Sequence, residues 1–224
     1  MKVAVETLQY ISLVAYAVLA LATLNQWRLR RDRAAAWAAA AFGALGIVVI
    51  LGQVVPDHPH GFGARFAQKV DIAILLLFPY LLHRFTTVFR TATSRLEQAL
   101  GLMTVAMIVW TFSIPKFPGP GEHRSAGIIA YLAGFLIHWT VLSAVSSARL
   151  WRAGAAQPSV ARRRIRILAL AAALLTIALF AAVATSRTYS VPSLISQLLA
   201  IVAAVAFLLA FVPPAIVRLL WRRP

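Results

Sequence analysis

Ionisable side chains embedded in apolar runs are where this chain could do chemistry, because a bilayer tolerates them only at a cost and function is the usual reason to keep them. Glu6, Asp71 and Arg187 fall near matching ends of their apolar runs, with Tyr189 close by. Asp71, Arg187 and Tyr189 could together form a polar mouth that binds a ligand, whereas Glu6 reads as a hydrated group at headgroup level. His138, in Ile137-His138-Trp139-Thr140, is the most central titratable group. It suits either a ligand contact or a hydrogen bond between helices. His83 and Arg84 follow Pro79 in Phe78-Pro79-Tyr80-Leu81-Leu82-His83-Arg84-Phe85. Proline removes a backbone donor and kinks a helix, so Pro79 beside this polar pair could act as a hinge. Arg84 is long enough to snorkel to the interface.

Other chemistries are excluded by what is missing. His83 and His138 sit at different depths, and no second histidine pair exists for haem, so no cofactor is expected. His58, His60 and His123, with Asp57 and Glu122, match no recognised ligand spacing, and no metal is expected. The lysines are Lys2, Lys69 and Lys116, so the last apolar run has none for a retinal Schiff base. No span carries a ladder of basic residues for voltage sensing. Walker, His-Glu-x-x-His and Gly-x-Ser-x-Gly motifs are absent, and the reading is of a non-enzymatic protein.

These side chains must be positioned by helices. The 224 residues are 61% hydrophobic and 12% charged, against about 25% charged in a soluble domain. Apolar runs long enough to cross a ~30 Å core recur seven times, at 5–27, 34–55, 70–89, 98–114, 126–148, 167–185 and 191–212. The first has no small-residue cleavage site and reads as a retained span. The second opens on Ala34-Ala35-Ala36-Trp37-Ala38-Ala39-Ala40-Ala41, where alanine contributes little transfer energy, although Ile47 to Leu51 makes the far end strongly apolar; its loss would leave six spans. The expectation is an all-α polytopic bundle over 1–213, followed by a short basic amphipathic connector over 214–224.

The net charge of +16 comes from 22 basic and 6 acidic residues. The basic residues stand in blocks between apolar runs, as topology signals do, and nucleic acid is not an expected partner. With seven spans, sixteen of the 22 gather on one side, in blocks such as Arg28–Arg33 and Arg149–Arg166. Lys2, Arg65, Lys69, Lys116, Arg124 and Arg187 remain on the other. The positive-inside rule then places the N-terminus outside and the C-terminus in the cytoplasm.

After the seventh run comes Phe211-Val212-Pro213-Pro214-Ala215-Ile216-Val217-Arg218-Leu219-Leu220-Trp221-Arg222-Arg223-Pro224. Pro213 and Pro214 end the helix, and the Arg and Trp residues beyond them suit anionic headgroups. This junction, with the segment from Phe78 to Phe85, resembles the N-terminal seven-helix sensory region of bacterial sensor histidine kinases of the actinobacterial type. The resemblance implies a two-component sensor in the plasma (inner) membrane, a possible homodimer, and a cytoplasmic signalling domain or partner fed through Pro213 and Pro214. A phosphoacceptor-histidine helix and an ATP-binding domain are absent from these residues, so kinase activity does not carry over.

The leading expectation is a membrane sensor or receptor module that passes an extracellular or in-membrane signal to a cytoplasmic output through helices three, six and seven. The alternative is a small transporter or ion- or proton-conducting protein using His138 and the outer carboxylates. A third reading is a membrane-embedded subunit whose partner carries the chemistry. Reporter fusions after Arg33, Arg124 and Pro224 are expected to read in, out and in; any other order overturns the topology.

Overall fold

The computed structural model describes the chain except residues 1, 57–58, 60, 90–92, 120–121, 156, 185–189, 215–220 and 222–224. Among the described residues there are seven helices: α1 (Lys2–Arg30), α2 (Arg33–Val54), α3 (Gly61–Thr86), α4 (Ser94–Ser113), α5 (Ala126–Ala155), α6 (Ser159–Ala184) and α7 (Val191–Phe211). All seven are long and apolar enough to span a membrane. The chain is therefore a multi-pass, all-helical bundle, as its hydropathy predicts.

The helices outrun the apolar stretches in several places. α3 starts at Gly61 where hydropathy starts at 70, α5 continues to Ala155, and α6 begins at Ser159. Hydropathy locates the hydrocarbon core, but backbone hydrogen bonding continues into the headgroup region. α5, at 30 residues, is ~45 Å long against a core of ~30 Å. The basic blocks Arg152 and Arg162–Arg166 accordingly ride on helix rather than loop.

α1 and α2 are joined by a tight turn. Arg31 takes a left-handed φ of 54° and its N–H bonds back to the Trp27 carbonyl at 2.8 Å, ending α1. Asp32 then caps α2, accepting from the Ala35 N–H at 2.6 Å.

The helices that touch are α1 with α2, α2 with α3, α3 with α5, α5 with α6, α6 with α7, and α7 with α1. Six helices thus form a closed ring. α4 stands outside it, packed on α3 and α5. The alanine-rich α2 is among the well-buried members: Ala38, Ala41, Phe42, Ala44, Leu45 and Gly46 are all buried. Small residues serve it because they let neighbouring backbones approach, a packing need that hydropathy does not register.

The ring is closed by hydrogen bonds between its first and last members. Ser12 donates to the Gln197 side chain at 3.2 Å, Tyr16 OH to the Ala200 carbonyl at 2.9 Å, and Gln26 to the Phe211 carbonyl at 2.7 Å. The sequence separations are 185, 184 and 185, the mark of two parallel helices held in one register. Across the centre, Phe42 of α2 packs against Phe207 at 4.8 Å and Phe211 at 5.2 Å on α7, and against Phe78 at 6.0 Å on α3. Phe78 in turn meets Trp139 of α5 at 5.6 Å. These rings make an aromatic septum across the bundle.

Gly46 permits the α1–α2 contact, since a Cβ there would lie 3.0 Å from the Ala20 Cβ, while one at Gly43 would meet nothing within 4 Å. Gly46→Val should therefore destabilise the bundle by about 1–3 kcal/mol, as overpacking does. Gly43→Ala should be tolerated, and denaturant titration in detergent micelles compares the two.

Candidate functional site

One end of the bundle carries the arginine blocks; α1, α3, α5 and α7 run toward it. A cavity lies on either side of the aromatic septum. The one toward the opposite end has a volume of about 350 Å³ and is walled by α1, α2, α3, α5, α6 and α7. Its floor is Tyr16, Leu45, Trp139 and Leu175, and Gln9, Ser12, Gln53, Ser196 and Gln197 supply polar groups. Several of these are already engaged. Ser196 donates to the Ala178 carbonyl at 2.8 Å, Tyr16 and Ser12 bond across to α7, and the Trp139 indole N–H reaches Thr176 at 3.2 Å. Trp139 therefore presents ring rather than N–H to the cavity.

The sequence candidates are distributed differently. Asp71 stands one turn beyond Leu75, the residue by which α3 lines the cavity, and its Oδ1 is buried with no hydrogen-bond partner. Arg187 and Tyr189 lie outside the described residues, so the polar mouth is represented by Asp71 alone. His138 is not among the lining residues; it faces α4, with Nε2 3.0 Å from Thr104 Oγ1. Thr104 spends its own proton on the Leu100 carbonyl at 2.8 Å, so the histidine is the donor and carries its proton on Nε2. Thr111 repeats the pattern, donating to Met107 and meeting Tyr131 OH at 2.7 Å. His138 thus serves to fix α4 to the ring.

Pro79 is buried within an unbroken α3 and withdraws the donor that the Leu75 carbonyl would otherwise take. Arg84 does not reach out as a simple interfacial anchor. Its guanidinium pairs with Glu97 of α4 and lies 5.2 Å from the Trp37 ring of α2, joining three helices. Glu97 sits in the first turn of α4, where an acid is favoured by the helix dipole. His83 is fully buried, and neither ring nitrogen has a partner. Arg149, Glu97 and Arg84 are the charged groups near enough to act on it. Because α3 and α5 run parallel with Phe78 beside Trp139, His83 falls level with Ser143 and Ser146 of α5.

Pro213 and Pro214 follow α7 near a second cavity, of about 260 Å³, which is lined at the arginine-rich end by Gln26, Arg164, Ala210 and Phe211 among others. The last helical donor is Val212, bonding the Leu208 carbonyl at 2.7 Å. The carbonyls of Leu209 and Ala210 would next need N–H groups from residues 213 and 214, and proline has none. Arg164 of α6 supplies Ala210 with its Nε at 2.7 Å and Phe211 with Nη2 at 3.2 Å, while Gln26 of α1 also reaches Phe211. A cation at a helix C-terminus is further favoured by the dipole. The double proline is thereby clamped to both neighbours of α7. Sequence reasoning missed Gln26, Arg164 and the cavity glutamines, which no motif marks; the frustrated carbonyls before Pro213-Pro214 were the one available signal.

No group of three or more metal-ligating side chains exists among the described residues; Asp57, His58 and His60 lie outside them. No family model, curated protein or solved structure matches this chain.

Arg164→Leu should leave the Ala210 carbonyl unpaired and destabilise the protein by about 1–3 kcal/mol. Pro214→Ala restores a donor four residues after Ala210 and should recover part of that loss. Melting of the two variants and their combination in detergent measures this; additive losses would refute the clamp.

Proposed function

We propose that the chain is a membrane sensor or receptor module. A ligand entering the cavity opposite the arginine-rich end shifts α7, and α7 delivers that shift to Pro213 and Pro214. The carrying observation is the continuity of one helix. α7 lines the cavity with Ser196, Gln197 and Ala200, forms the septum with Phe207 and Phe211, and ends in the clamp made by Gln26 and Arg164. A rigid helix with cavity contacts at one end and a polar latch at the other can bias two packings, provided that ligand binds one of them better.

The resemblance of the junction to sensor histidine kinases supports the same reading. On it, the arginine-rich end faces the cytoplasm of a bacterial cell, the membrane is the plasma membrane, and Pro213-Pro214 feeds an output domain or partner, with signalling between two protomers. A second reading, a small transporter, is favoured by two cavities at opposite ends separated by an aromatic septum. His138, which that alternative was expected to use, lines neither of these two cavities.

The chain contains no cysteine, so a single introduced thiol reports cleanly. Val212→Cys marks the end of α7. Filling the cavity with Ala178→Phe should change its labelling rate by a water-soluble maleimide severalfold, and Arg164→Gln should abolish that response. An unchanged rate removes the sensor reading, and solute flux in proteoliposomes that Ala178→Phe blocks would establish the transporter.

A further inference from the structure

The cavity that the sensor reading uses also defines what it can hold. Its lining residues, among those described, carry no charge: Gln9, Ser12, Tyr16, Gln53, Ser196 and Gln197 are the polar ones, and the rest are apolar or glycine. Between Leu45 at the floor and Gln53 at the rim, α2 rises by eight residues, or ~12 Å. Polarity is graded along that depth. Leu45, Leu175 and the ring of Trp139 are buried at the bottom, while Gly52 and Gln53 are exposed at the top.

The hydroxyls are spent inside the protein. Tyr16 holds Ala200, Ser196 holds Ala178, and Ser12 holds one end of the Gln197 carboxamide. The carboxamides of Gln9 and Gln53, and the amino end of Gln197, are left to act on a ligand. A carboxamide both donates and accepts, and it neutralises no charge. Pro79 withdraws the usual helical donor of the Leu75 carbonyl, on the helix that forms the α3 wall. A charged head would have to lose water here without gaining an opposite charge from the lining, which is costly.

We infer that this cavity binds an uncharged amphiphile. Its head donates and accepts hydrogen bonds, as a hydroxyl or carboxamide does, and lies among Gln9, Gln53 and Gln197. Its short apolar tail is directed at Leu45, Leu175 and Trp139. The assignment rests on the sensor reading only for its consequence; binding itself is independent of signalling.

Trp139 at the floor provides the readout. The full chain in nanodiscs of zwitterionic lipid is titrated with bromo-octanol, bromo-octanoate and bromo-octylammonium, whose bromine quenches nearby indole. The Trp139 signal is the difference between the native chain and Trp139→Phe. Bromo-octanol is expected to quench it saturably, at least about tenfold more tightly than either charged probe. Gln9→Leu with Gln53→Leu, both near the rim, should weaken the alcohol about tenfold, near the 1.4 kcal/mol worth of one or two hydrogen bonds. Ala178→Phe should abolish saturation.

Tighter binding of the ammonium probe, lost in Asp71→Asn, would overturn the neutral assignment in favour of recognition by charge, as would tighter binding of the carboxylate probe. Either result leaves the sensor reading standing. Linear quenching by all three probes, unchanged in Ala178→Phe, overturns the site itself. Saturable alcohol binding that leaves labelling at Val212→Cys unmoved upholds the ligand class and defeats the sensor reading alone.

Discussion

Within a bilayer, polar groups have no water to fall back on, so each must find its partner in the protein. That constraint shapes the seam between α1 and α7. Ser12, Tyr16 and Gln26 recur along one helix and find Gln197, the Ala200 carbonyl and the Phe211 carbonyl along the other. Apolar burial between helices gains no hydrophobic advantage over lipid tails, so close packing and interhelical hydrogen bonds must hold the helices together. At this seam the hydrogen bonds fix the register, and they turn a string of spans into a ring with an inside. The cavity, the septum and the clamp all depend on the ring being closed.

The seam between α3 and α5 is built on the opposite principle. His83 and Ser146 are fully buried with unpartnered polar atoms, and Arg149 has a buried guanidinium nitrogen in the same condition. Unpaired buried groups of this kind cost about 1–3 kcal/mol each, so this side is held by shape, chiefly the packing of Phe78 on Trp139. The bundle is thus bonded on one side and frustrated on the other. Arg84 of α3, tied to Glu97 of α4 and Trp37 of α2, braces the frustrated side.

Much of the fold was legible in the sequence. Run length gave all seven spans, and turn residues gave their breaks. The alanine run offers little transfer energy per residue, yet α2 carries a buried face because close approach is its role. The site was less legible. Asp71 and His138 were conspicuous because they are ionisable, but neither lines the cavity; the groups that do are neutral glutamines and serines spread from Gln9 to Gln197. Such residues become a site only when the ring brings their helices together, and no local pattern encodes that meeting. Pro213 and Pro214 were visible as a helix stop, while their partners Gln26 and Arg164 needed three dimensions.

Ring closure between helices 184 and 185 residues apart also dictates an order of biogenesis. Neighbouring spans can pair as they leave the translocon, so α1 with α2 and α2 with α3 form early. α1 must meanwhile present Ser12, Tyr16 and Gln26 to lipid, unsatisfied, until α7 has been synthesised and inserted. Until α7 is in place the bundle is an open arc without an interior. The chamber comes into existence in one late, long-range step, and a nascent chain halted before α7 has nowhere to hold a ligand.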